Sequence, residues 1–102
     1  MTTRIEQIKG MLAEAGEDAF LRYSLGMEYL SADQPDEAVK QFQTVIKLEP
    51  ENLAAHVECG KALRAARRRD EARDMFTRAL ELAGRQGESH VEDYIRQQLN
   101  DV

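Results

Sequence analysis

The sequence predicts an all-α protein, a right-handed α-α superhelix (solenoid) built from antiparallel helix pairs. Three observations predict it. A block of residues returns after 34 positions without a gap: Gly26 as Gly60, Ala32 as Ala66, Asp36-Glu37-Ala38 as Asp70-Glu71-Ala72, Phe42 as Phe76 and Leu48 as Leu82. A period of that length marks one supersecondary unit stacked on its copy. Between the repeated residues the apolar side chains keep helical spacing, and Gly16, Pro50 and Gly84 stand where the helical patterns stop.

Each element then follows in order. Ile5, Ile8, Met11 and Leu12 form one apolar face of a helix from about Thr3 to Ala15, ending near Gly16. It lies where the second helix of a preceding unit would be, so it reads as half a repeat. Asp18 caps a second helix running to about Ala32. The third starts near Pro35, with Asp36 and Glu37 at its positive end, and runs to Glu49. Pro50 stops it, and Asn52 caps a fourth helix, Leu53 to Ala66. A fifth covers Asp70 to Ala83 and ends at Gly84 as a left-handed cap. After a short loop, Ser89-His90-Val91-Glu92 reads as a capping box opening a sixth helix to about Asn100. That helix carries a narrow stripe, Val91, Tyr94, Ile95 and Leu99, suited to a terminal cap. The expected layout is one domain: 1–18 an N-terminal helix, 19–52 and 53–86 two full repeats, 87–102 a C-terminal capping helix.

Gly26 and Gly60 fall inside helices, where Gly costs about 1 kcal/mol relative to Ala. They predict close approach by another backbone. Ala38 and Ala72 are the small residues expected opposite them, with Phe42 and Phe76 one turn further along.

The first copy reads Arg22-x-x-Leu25-Gly26-x-x-Tyr29, then Ala38-x-x-x-Phe42, then Pro50; the second has His56, Cys59-Gly60, Leu63, Ala72, Phe76 and Gly84. This pattern resembles the tetratricopeptide repeat. Arg22 replaces the usual leading aromatic. Asp33 and Arg67 stand at the turn where the family usually places Gly in a left-handed conformation. The resemblance implies a protein-interaction module with a concave binding face. Some family members hold a peptide carboxylate there with Lys and Asn, but the matching positions here are Tyr23, Met27 and Glu58. An apolar or acidic-apolar peptide fits better.

Composition bounds the alternatives. The chain has 102 residues, 42% apolar and 32% charged, with one cysteine and a net charge of −5. One cysteine excludes an internal disulfide framework. No apolar run approaches a membrane span, and Met1 to Lys9 lacks a signal-peptide core. A cytoplasmic setting is expected. Residues 61–85 carry 8 basic and 4 acidic side chains, between acidic flanks. Such a basic middle could steer an acidic partner or support head-to-tail contact between copies. Arg67-Arg68-Arg69 is followed at once by Asp70, Glu71 and Asp74, and a pI of about 5.0 argues against nucleic acid.

No nucleophile-base pair, phosphate loop or convergent carboxylate pair stands out, so no enzyme activity and no cofactor is expected. His56 and Cys59, at i and i+3, could share a metal, but two ligands make no structural site, and Cys59 takes the inward place of Leu25. The expected site is the stripe of the first helix in each pair not used by Leu25-Gly26: Phe20, Tyr23 and Met27, then Val57, Lys61 and Arg64. The apolar four supply contact area and the cations orientation. The expected function is a non-catalytic adaptor binding a peptide or protein partner. The alternative is a homo-oligomer burying the same groove or the last helix.

Overall fold

A computed structural model describes residues 2–102. Six helices follow one another: α1 (Arg4–Ala15), α2 (Ala19–Ser31), α3 (Pro35–Leu48), α4 (Leu53–Ala65), α5 (Arg69–Gln86) and α6 (Ser89–Asn100). There is no strand among the described residues. Each helix packs chiefly on its neighbours in the chain, α2 on α3 and α4 on α5 most extensively, and the stack is a right-handed superhelix of antiparallel pairs measuring 40 × 26 × 19 Å.

Three helices begin where a side chain takes an orphan amide. Thr3 accepts from Glu6 N–H, Asp18 from Leu21 N–H at 2.9 Å, and Asn52 from Ala55 N–H at 3.0 Å. α3 starts with Pro35 at its first position instead. The turns inside the two pairs are copies. Asp33 (φ 58°) and Arg67 (φ 63°) take the left-handed conformation. The following amides, Gln34 and Arg68, donate back to the Tyr29 and Leu63 carbonyls at 2.9 Å. This is the closing bond of a helix terminus that usually carries Gly.

The repeated glycines serve a ring. A Cβ on Gly26 would lie 2.7 Å from Phe42 Cε1 and Cζ, and one on Gly60 2.7 Å from Phe76 Cε1. The expectation of a neighbouring backbone is thus corrected: the notch holds the aromatic ring of the partner helix. Phe42 and Phe76 are fully buried, as are Ala38 and Ala72. Ile8, Leu25, Leu63 and Ile95 extend this core from α1 to α6.

Two boundaries differ from expectation. Gly84 is helical, α5 runs on to Gln86, and the left-handed cap is Gly87 at φ 71°. The added turn is held from outside: Gln86 Nε2 donates to the Glu51 carbonyl at 2.8 Å and Arg85 lies 3.8 Å from the Glu51 carboxylate, against a cost of about 1 kcal/mol for one Gly in a helix. Ser89 is the first residue of α6, not its cap. Glu88 takes that place without a side-chain bond, so the expected capping box does not form.

Candidate functional site: a groove along the first helices of each pair

Two shallow depressions adjoin one another. One, of about 440 Å3, is walled by Phe20 and Tyr23 of α2, with Glu49 and Asn52 from the connection before α4. The second, of about 410 Å3, lies between Leu53, Val57 and Glu58 of α4 and His90, Val91 and Tyr94 of α6. Ala54 borders both, and its small side chain lets them run together. The lining of the second is mainly apolar.

The expected residues divide within this groove. Phe20 is 76% exposed, which is a large apolar area to leave in water. Tyr23 is half-buried, its ring edge-on to Phe42 with centroids 5.6 Å apart, so one face supports the core and the other walls the depression. Met27 is half-buried, packs on the core and lies in neither depression. Val57 is 8% exposed and forms part of the floor. Lys61 and Arg64 continue along α4. Lys61 Nζ is 3.3 Å from Glu58 Oε1, and the Arg64 guanidinium lies 5.8 Å from the Phe76 ring centroid.

Glu58 is the feature that residue spacing did not single out as a site. Its side chain is 15% exposed, and Oε2 is buried without a hydrogen-bond partner. It sets the electrostatics of its surroundings. Burial first, and then the Glu58 charge, push the Tyr23 phenol above its ordinary range. For Lys61, burial pulls downward, but Glu58 and nearby Tyr94 outweigh it, and the ammonium is held more firmly protonated. His90, Val91 and Tyr94 were also missed as part of the groove. The stripe on α6 was legible, but that it faces α4 depends on how the α5–α6 turn closes.

Other chemistry-bearing residues are structural. Cys59 is fully buried, and burial pushes its thiol up to about 11. His56 Nδ1 lies 2.9 Å from the Asn52 carbonyl. Arg68 bridges Asp36, at 3.1 Å, and Glu71, at 2.7 Å, tying the two inner turns together. No helix among the described residues is long and apolar enough to cross a membrane.

Antiparallel helix pairs, left-handed turns in register and a groove along the first helix of each pair define a helical-repeat protein. The sequence profile of the tetratricopeptide repeat matches residues 23–87, and the chain belongs to that family. It is 32% identical over 88 residues to the TPR repeat-containing protein PA0015 of Pseudomonas aeruginosa, covering 86% of this chain and 84% of that one. The solution structure of BPP2914 from Bordetella parapertussis superposes with a TM-score of 0.86 at 26% identity, covering 99% of this chain and 88% of the other. A tetratricopeptide repeat domain protein from Salinibacter ruber gives 0.73 at 25% identity, over 83% and 94%. The fold is in general that of a protein–protein interaction module.

Proposed function

We propose that the protein is a non-catalytic adaptor that binds an extended peptide, or a peptide-like segment of a protein partner, in the groove between α2, α4 and α6. One observation carries the reading. Phe20, exposed and unsupported, stands at the mouth of an apolar channel that continues past Ala54 to Val57, Val91 and Tyr94. A partner side chain entering there removes apolar area from water on both sides, at roughly 25 cal/mol per Å2. A peptide burying a few such side chains binds with a Kd of roughly 10 μM. The buried thiol of Cys59 needs no oxidising compartment, which goes with the cytoplasmic setting expected from the sequence.

The test uses Phe20→Ser and Tyr94→Ser, the two exposed walls. Tyr23 and Met27 are poorer probes because both also support the core. Isothermal titration with peptides recovered from a random library should show at least tenfold weaker binding to each variant, with unchanged helicity. Unchanged affinity in both would refute the site. Self-association is read in the same preparation by sedimentation velocity. A dimer that Phe20→Ser dissociates would assign the groove to a second copy of the chain instead.

A further inference from the structure

At the end of α4, two turns beyond Val57 of the groove floor, lies a third depression, of about 530 Å3, and its lining is of a different kind. Arg64, Arg67 and Arg69 converge on it, and Ala65, the Asp101 carboxylate and Val102 complete the wall. None of the three arginines is in an ion pair among the described residues, whereas Arg68 between them is held by both Asp36 and Glu71. Arg64 is steadied over the Phe76 ring, Arg67 projects from a left-handed turn residue, and Arg69 opens α5. Lys61, one turn earlier on α4, is matched by Glu58. The unmatched positive charge of this face therefore lies at the arginines.

We propose that this depression receives an acidic flank of the same partner peptide whose apolar side chains occupy the groove. The inference rests on the peptide-binding reading above and adds the partner's charge and its placement. Val57 and Arg64 are two turns apart on α4, so the apolar floor and the first guanidinium are separated by about 10 Å at 1.5 Å per residue. An extended peptide covers that distance in about three residues. A carboxylate offered there meets planar donors able to bind it two bonds at a time. Charge also limits the ligand's length. The chain carries −5 overall, and the acidic side chains are concentrated on either side of the basic middle. Within the roughly 8 Å screening length, two or three carboxylates meet three guanidinium groups against the single Asp101 side chain, whereas a long polyanion gains no further cation from this lining.

The experiment is selection of a phage-displayed random 12-residue peptide library on the wild-type protein, on Arg67→Gln/Arg69→Gln and on Phe20→Ser/Tyr94→Ser. The Gln pair leaves Arg64 and its packing intact, and circular dichroism checks both variants. Wild type should enrich peptides with two or more Asp or Glu about three positions from an aromatic or aliphatic pair. The Gln pair should enrich the apolar pair without the acids. The Phe20/Tyr94 variant should enrich neither. A recovered peptide, labelled and followed by fluorescence anisotropy, should weaken about tenfold when its acids become amides. It should weaken about as much against the Gln pair, with no further loss when both changes are combined. Apolar peptides without acids on wild type would overturn this inference and leave the groove standing. No enrichment on wild type would overturn both. Tighter binding of a 12-nucleotide single-stranded RNA than of the acidic peptide, lost in the Gln pair, would give the patch to nucleic acid and overturn the assignment.

Discussion

One substitution, Gly to Ala, should change sign with position along this chain. At Gly26 the new Cβ would stand 2.7 Å from two carbons of the Phe42 ring. Carbon atoms in contact prefer about 3.5–4.0 Å, so the ring must retreat by nearly 1 Å. It has little room, because Phe42 is fully buried and the Tyr23 ring abuts it. Overpacking of this kind costs typically 1–3 kcal/mol, against about 1 kcal/mol gained in helix propensity. A net loss of about 1 kcal/mol is expected, and the same at Gly60 against Phe76. Gly10 has nothing within 4 Å of the added carbon, and Gly84 only Glu92 Oε2 at 4.0 Å. Ala there should gain up to about 1 kcal/mol. The four variants should separate by about 2 kcal/mol, or roughly 10 °C in thermal melts at 4–8 °C per kcal/mol. The decisive assay is a double-mutant cycle by urea denaturation. Placing Gly26→Ala in a Phe42→Leu background should relieve the clash and give a coupling of about 1 kcal/mol. If Gly26→Ala stabilises as much as Gly10→Ala, or if no coupling appears, the ring-in-notch account of the repeat is wrong.

Three further outcomes follow from single residues. Cys59 is held as a thiol to about pH 11, whereas the unfolded chain titrates near 9.0. The unfolded state therefore loses its proton first as pH rises, and about 2–3 kcal/mol of stability drains away between those values. Urea midpoints from pH 8 to 11 should show this slope, and Cys59→Ala should flatten that part of it. Asn52→Ala removes the acceptor for Ala55 N–H and should cost about 1 kcal/mol in the same assay. Arg67→Gly relieves a side chain at φ 63°. The gain of about 1–2 kcal/mol is offset in part by a freer unfolded chain, so a small rise in melting temperature is expected.

Most of the fold could be read from the chain because its signals are local and repeated. Asp18, Asn52 and Pro35 start helices for reasons confined to their own first turns, and the family resemblance implied left-handed conformations at Asp33 and Arg67. What escaped is decided by three-dimensional packing. Gly84 marks a helix end in sequence, but Gln86 bonds to the Glu51 carbonyl, 35 residues back, and the helix continues to Gln86. Spacing marked Gly26 and Gly60 as points of close approach, but it did not reveal that a ring does the approaching. In the groove, the stripe of Phe20, Tyr23 and Val57 was legible from helical period. Its second wall was not, because the facing of Val91 and Tyr94 depends on the turn at Gly87. Glu58 was visible only as a departure from a family pattern. Its burial between α2 and α6 gives it significance that no local motif carries.

Arg68 ties one inner turn to the next by holding Asp36 and Glu71 at once, and it does so at the surface. It thereby acts as a stop on curvature. With both carboxylates engaged, neighbouring hairpins cannot fan apart at that point without stretching a charged contact. High salt should loosen this restraint more than it loosens the buried core. The curvature of the stack would then be adjustable by ionic strength while every helix stays intact.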